Sequence, residues 1–286
     1  MITAEERKHM VDSTVKKVAI FGHTGVVGSQ LYKWFKVQSL KDINVVGISV
    51  GVIDGVFDYA DWIFLCLPTP NKNGQQDLSA FDEVLPHIDA NDECNVVIRS
   101  TVLPGTCDKI QREHPNWRVF HWPEFLSAAT AWEDFIWPNT RIVGTAAKNN
   151  IVIWKEGIEA LLPKTLHFST VFTTLPTSET IKYAHNINGA MQIVFANLLY
   201  DVCNKSKANF GHLKELMPTL GYIPKNAVDS YWDVFKDGYR GYGGACFPKD
   251  IAALNTYLDC SNLLSGIIDA NEWLLYAYED NSDEEK

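Results

Sequence analysis

Six short apolar runs punctuate the first half of this chain, and they constrain its fold more than any other feature. They are VKKVAIFG (15–22), NVVGISV (44–50), WIFLCLP (62–68), NVVIRSTV (95–102), WRVFHWP (117–123) and RIVGTA (141–146). Each is short and nearly continuous in apolar character, the pattern of a strand buried on both faces. Helix-compatible stretches separate several of them, notably residues 29–37 and 78–88. Strands alternating with helices build a parallel sheet covered on both sides. The first half therefore reads as an α/β, Rossmann-like doubly wound unit.

The character changes after about residue 169. TSETIKYAHNINGAMQIVFANLLYDVCNKSKA (177–208) repeats apolar residues at three and four and reads as one long helix, with Thr177 or Ser178 as N-cap. Shorter helices are expected over residues 213–220, 227–235 and 251–258. The expected organisation is an α/β domain over 14–172, a mainly helical domain with a long central helix over 173–278, and an acidic tail over 279–286. That tail carries five acids and one base, so four of the ten net negative charges are expected there.

Composition excludes several function classes. A net charge of -10 argues against a protein that wraps nucleic acid. No apolar run approaches the roughly 18 residues of a membrane-spanning helix, and the charged N-terminus lacks the apolar core of a signal peptide. The six cysteines (Cys66, Cys94, Cys107, Cys203, Cys246 and Cys260) show neither CxxC pairs nor His-rich spacing. Free thiols in a reducing compartment are the expectation, with no metal site. A cytoplasmic enzyme is the reading.

Gly22-His23-Thr24-Gly25-Val26-Val27-Gly28 follows the first strand and precedes the first helix. A dinucleotide fold uses such a turn to bring backbone close to a pyrophosphate and to aim helix N–H groups at it. The spacing is GxxGxxG, one residue longer than GxGxxG, and a tight turn without a ligand accounts for such a match too. Ser49 occupies the slot of the acid that usually holds the ribose; Asp54 comes later, and no Arg is near for a 2′-phosphate. A nicotinamide dinucleotide is supported, with NAD against NADP left open.

The segment Gly241-Tyr-Gly-Gly-Ala-Cys246-Phe-Pro-Lys249-Asp250 presents one thiol at the end of a glycine-rich turn, just before Pro248 starts a helix. A lone cysteine there is also compatible with a small buried hydrophobe. Taken with other segments, however, GYGGACFPKD resembles the catalytic-cysteine motif of the UDP-glucose/GDP-mannose dehydrogenase family. LCLPTP (65–70), RSTVLPGT (99–106), PEFLSAATAWEDFIWPNTRIVG (123–144) and SETIKYAHNINGAMQIVFAN (178–197) match in family order.

The resemblance implies oxidation of a nucleotide-sugar primary alcohol to a carboxylate, with two NAD consumed per sugar. Cys246 would be the nucleophile, passing through a thiohemiacetal and a thioester. Lys182 and Asn186, four apart on the long helix, would face a developing oxyanion. Asp250 would hold water and Lys182, Thr101 would position water, and Glu124 would serve thioester hydrolysis. Cofactor contacts would come from Gly22, Gly25, Val26, Val27, Gly28, Ser49, Thr69, Pro70, Ser100 and Thr101. Substrate contacts would come from Glu124, Phe125, Leu126, Lys182, Asn186, Tyr242 and Gly243. The role of Lys249 is left open. The long helix over 177–208 would form a homodimer.

Three departures stand out. The family reads NPEFLxEG, whereas here Trp122 replaces the small amide and Ala128 the second carboxylate. The stretch between strand two and WIFLCLP has room for little more than a turn. Relatives also continue into a third α/β domain that clamps the sugar nucleotide, expected to be missing here. Two alternatives therefore stay open: a single-step hydroxy-acid or sugar-acid dehydrogenase, which needs no thiol, and a non-catalytic nucleotide-sugar binding protein.

Overall fold

In the computed structural model, which describes residues 16–37, 43–48, 60–88, 94–146, 156–163 and 169–284, the apolar runs become strands of one seven-stranded sheet. The strands are β1 (Lys16–Phe21), β2 (Ile43–Ile48), β3 (Trp62–Leu65), β6 (Asn95–Ile98), β7 (Arg118–His121), β8 (Arg141–Thr145) and β9 (Thr170–Thr174). Their order is β2-β1-β3-β6-β7-β8-β9. Two further short strands, β4 (Asn71–Lys72) and β5 (Gln75–Gln76), form a separate antiparallel hairpin.

Alternation along the strands explains why both faces of this sheet are covered. Ala19, Phe21, Ile63, Leu65, Val96 and Ile98 point into one apolar cluster, with Phe81 and Val84 of α2 (Ser79–Val84) and Ile110 of α3 (Thr106–Glu113). Val18, Ile20, Trp62, Phe64 and Val97 point into the other, with Leu31 and Phe35 of α1 (Val26–Val37) and Phe135 of α4 (Ala131–Ile136). Side chains of successive residues leave opposite faces of a strand, so a run apolar at every position must be buried twice.

The expected parallel sheet is corrected at one place. β8 runs antiparallel to β7, and β9, which the sequence reading did not anticipate, pairs parallel with β8. The link through the short α4 does not cross back over the sheet, so β8 starts at the edge where β7 ends. The expected helix at 78–88 is also shorter: α2 gives way to a 3₁₀ turn, Leu85–His87, because Pro86 offers no N–H to continue the α-helix.

The chain divides into two units, one comprising Met1–Thr69 and Asp77–Lys182, the other Pro70–Gln76 and Tyr183–Lys286. The division falls inside the long helix α5 (Leu175–Ser206) rather than at 172. That helix begins two residues before the expected start, with Pro176 suited to its first turn. Neither expected N-cap serves. The Thr174 hydroxyl accepts from Thr177 N–H at 3.4 Å, while Ser178 Oγ donates to the Leu175 carbonyl at 2.8 Å.

The second unit is helical: the rest of α5, α6 (Phe210–Leu216), α7 (Lys225–Tyr231), α8 (Phe247–Tyr257) and α9 (Asn262–Glu284). Ala190, Tyr242, Ile251, Leu264 and Ile267 form one core cluster, and Ala196, Val228, Trp232 and Val234 another. Residues 279–284, read from their acidity as tail, continue α9. The buried Leu264, Ile267 and Leu274 anchor that helix, and its polar end propagates from them.

Candidate active site

In the first unit the sheet order turns outward in both directions from β1, and at such a switch point an open α/β sheet leaves a crevice at its carboxyl edge. Gly22 ends β1 there with φ of 74°, and a Cβ on it would lie 2.2 Å from the Cys66 carbonyl oxygen at the end of β3. A Cβ on Gly28 would lie 2.2 Å from the Gly22 carbonyl oxygen. These two glycines let strand, turn and helix close on one another. Gly25 differs: a Cβ there meets only the Gly22 carbonyl oxygen, at 3.4 Å.

Helix α1 makes its first backbone bond from Ser29 N–H to Gly25, so Val26, Val27 and Gly28 have N–H groups without a helical partner. A bare second glycine and a helix N-terminus fit a dinucleotide pyrophosphate. Ser49 and Asp54 lie outside the described residues, so the ribose end of the fit rests on the turn alone.

Loops following β3 and β6 are tied to each other. The Ser100 hydroxyl donates to the Leu67 carbonyl at 2.7 Å and accepts from Leu67 N–H at 2.8 Å; Thr69 Oγ1 donates to the Thr101 carbonyl at 2.8 Å. Ser100, expected at the cofactor, thus has its hydroxyl spent on holding the loops. Glu179, fully buried near the start of α5, accepts from Gly105 N–H and Cys107 N–H at 2.7 Å each. It caps α3 from another helix, supplying the anion that a helix N-terminus favours. Burial raises its carboxyl even so.

Glu124 and Lys182 come together. Lys182 Nζ is 3.2 Å from Glu124 Oε1, with side chains 4% and 12% exposed. Leu126 N–H donates to the other carboxylate oxygen at 2.7 Å, and the ammonium sits 5.5 Å from the Phe125 ring centroid. Burial pushes the Glu124 carboxyl up, but the Lys182 charge and the Leu126 N–H outweigh it, so it titrates below its ordinary value. His121, fully buried beside Ser178 Oγ at 2.8 Å, is pushed by burial down to about 3 and stays neutral.

In the second unit Asn186 Nδ2 donates to Asp250 Oδ2 at 2.6 Å, and Lys249 Nζ donates to Asp250 Oδ1 at 2.5 Å. Asp250 is almost wholly buried, so both oxygens being engaged satisfies a carboxylate that could not otherwise be there. Lys249 thereby gains a role: its ammonium is paired with the Asp250 carboxylate. Cys246 is the N-cap of α8 and its thiol is exposed. Tyr242, expected at the substrate, belongs to the core cluster of this unit. Its ring packs edge-on to Phe247, and Asn271 binds both its backbone N–H and its carbonyl. Gly243 is half-buried beside Tyr239. Pro70 opens the segment that carries the β4–β5 hairpin.

Comparison with known proteins decides the family. The NAD binding domain of the UDP-glucose/GDP-mannose dehydrogenase family matches residues 49–161, and its central domain matches residues 176–272. The chain belongs to this family. NAD is accordingly its cofactor. UDP-glucose 6-dehydrogenase from Rickettsia typhi is 34% identical over 230 residues, 76% of this chain and 50% of that protein. GDP-mannose 6-dehydrogenase from Pseudomonas aeruginosa is 28% identical over 73% of this chain and 50% of that protein. The chain spans about half the length of the curated relatives it matches.

Solved structures agree on the fold. A UDP-glucose dehydrogenase from Pyrobaculum islandicum superposes with a TM-score of 0.70 at 19% identity, covering 96% of this chain and 70% of that one. The 3-hydroxyisobutyrate dehydrogenase of Mycobacterium tuberculosis gives 0.66 at 15% identity, covering 90% and 92%. The family's NAD binding domain is matched from residue 49 onward, so the glycine turn at 22–28 is read here from its own geometry.

Among the described residues no group of three or more His, Cys, Asp or Glu is placed to hold a metal, and no helix is long and apolar enough to cross a membrane. The sequence reading missed Glu179 and the buried Arg99, Arg141 and His121. Glu179 carried a signal, an acid three residues before Lys182 at a helix start; the others declare themselves only through burial.

Proposed function

We propose that this family member oxidises the primary alcohol of a nucleotide sugar, UDP-glucose first among the candidates, to the carboxylate. In balance, RCH₂OH, two NAD⁺ and one water give RCOO⁻, two NADH and three protons. NAD, when bound along Gly22, Gly25 and Gly28, takes the hydride in each oxidation. The observation that carries the reading is the exposed Cys246 thiol at the head of α8, one turn before an Asp250 already bonded to Asn186. A single-step hydroxy-acid dehydrogenase has no use for that thiol.

Lys182 and Asn186 offer a cation and an amide donor to the sugar oxygen, favouring its deprotonation and later holding the tetrahedral oxyanion. Cys246 Sγ adds to the aldehyde carbon, giving a thiohemiacetal. Loss of the second hydride leaves a thioester, whose C–S bond water cleaves to free carboxylate and thiol; the resemblance gives Thr101 the positioning of that water and Glu124 its activation. Glu124 is suited to this step because its carboxyl is held ionised.

The family's dimer helix supports a homodimer here as well. Met191, Phe195, Leu198 and Val202 follow one another at four, three and four along α5, and each is 38% to 57% exposed. A monomer gains nothing from such a stripe. Six free thiols favour the cytoplasm.

The test is NADH yield from purified protein over UDP- and GDP-sugars, with Cys246→Ala alongside. Two NADH per sugar, lost in the variant, is expected. One NADH that survives Cys246→Ala would instead support the single-step enzyme, and sugar-nucleotide binding with no NADH would support a binding protein.

A further inference from the structure

Two arginines of the first unit are buried with donors that meet nothing. Arg99, one residue past β6, is 2% exposed, and Arg141, the first residue of β8, is 6% exposed. Nε and Nη1 of Arg99, and Nε and Nη2 of Arg141, are closed from solvent and make no hydrogen bond.

The sheet places them together. Ile98 pairs with His121, so Arg99 and Trp122 follow level with each other at the carboxyl edge. β8 runs antiparallel to β7 with His121 opposite Gly144, and continuing that register sets Arg141 opposite Glu124. Val143 belongs to the apolar cluster of Trp122 and Phe135, and alternation puts Arg141 on that same face. The Arg99 guanidinium lies 3.7 Å from the Trp122 ring centroid and 6.0 Å from that of Phe135. Burial pushes Arg99 down to about 10; Cys66 and Glu124 work against that shift, and the charge of Arg141 adds to it.

Two like charges closed in together, with four unmet donors, call for an opposite charge. Glu124 is the nearby carboxylate, and its oxygens are taken by Lys182 and by Leu126 N–H. Trp122 covers one face of Arg99, so only the edges of that guanidinium can serve a ligand. The free Nε and Nη2 of Arg141 form the side-on fork that matches two oxygens of a planar oxyanion.

We propose that Arg99 and Arg141 hold a small planar monovalent oxyanion, of the carboxylate kind, at a site separate from the dinucleotide turn. Its size is limited by the closure of both side chains from solvent. Bound there, it neutralises the arginine pair and steadies the Trp122–Leu126 loop that carries Glu124.

Formate is the probe. Thermal unfolding of the full chain, titrated with sodium formate at an ionic strength held constant with a bulky sulfonate, is expected to give a midpoint that rises and saturates. Arg141→Lys, which keeps the charge and loses the fork, is expected to weaken the half-saturation at least tenfold. The response is expected to persist with NAD present. No saturation with the native chain would overturn the proposal, and a response abolished by NAD would reassign these donors to the cofactor crevice.

Crystals of the native chain soaked in bromide keep the question open to a direct answer should Arg141→Lys fail to fold. An anomalous peak between the two guanidinium groups is expected. Water alone there, or the Glu124 carboxylate turned onto the arginines, would overturn the proposal.

Discussion

Lys182 Nζ stands 3.2 Å from Glu124 Oε1, and the pair is nearly closed from solvent. Glu124 comes from the loop after β7 and Lys182 from the second turn of α5, so two distant stretches of chain must be in place before either charge is matched. Removing one partner of such a pair leaves the other buried against a lost charge, which typically costs about 3–5 kcal/mol. Glu124→Gln is therefore expected to destabilise the first unit and to slow any thioester hydrolysis more than the first oxidation. Urea unfolding and single-turnover NADH formation read the two effects separately.

Acid sensitivity follows from the same carboxyl. The folded Glu124 titrates below its unfolded value, so its contribution is present above about pH 4.5 and is lost as pH falls through the lower folded value. Stability measured by urea unfolding between pH 3 and 6 is expected to fall steeply at the acid end. Glu124→Gln should flatten that limb.

His121 acts in a neighbouring window. It stays neutral in the fold down to about pH 3, whereas the unfolded chain takes up its proton near pH 6.5. Unfolding is thus favoured progressively as pH drops from 6.5 toward 3, by up to about 1.4 kcal/mol per pH unit. His121→Gln is expected to remove this slope between pH 6 and 5, where Glu124 contributes little.

Thiol chemistry separates the cysteines. Burial pushes Cys66 and Cys94 up to about 12 and Cys107 well above its ordinary value, and Cys203 is buried, while Cys246 and Cys260 are exposed. Brief iodoacetamide treatment of the native protein is expected to modify Cys246 and Cys260 and to spare the other four, as peptide mass spectrometry will show. Cys260→Ser should leave the loss of dehydrogenase activity on alkylation unchanged.

The glycine turn divides into structural and ligand positions. Gly22→Ala must move the Cys66 carbonyl and hold alanine at φ of 74°, so it is expected to unfold or fail to accumulate. Gly25→Ala has room in the protein itself. Its expected result is near-native thermal stability with NAD affinity at least tenfold weaker, measured by calorimetry. Unchanged NAD affinity in Gly25→Ala would remove the turn from the cofactor site.

Local pattern made much of this protein legible. WIFL is apolar at every position and NVVI at all but its first, and only a strand covered on both faces satisfies that, so the α/β sheet follows from the residues themselves. The long helix and the GYGGACFPKD turn follow from periodicity and from a motif contiguous in the chain. Chain direction and pairing were not legible in the same way. The reversal of β8 and the addition of β9 depend on where α4 returns the chain, which no local preference encodes.

Burial of polar groups was decided only by the tertiary structure. Lys249 and Asp250 are adjacent in sequence, yet that Asp250 also takes Asn186 depends on α8 packing against α5 within one unit. Tyr242 joins the core only once Asn271 holds its backbone and Phe247 meets its ring edge-on. Arg99, Arg141 and Glu179 read as ordinary surface charges in a linear chain. Their significance comes from desolvation, a property of the assembled neighbourhood, and a charge removed from water must find a partner that the sequence alone does not name.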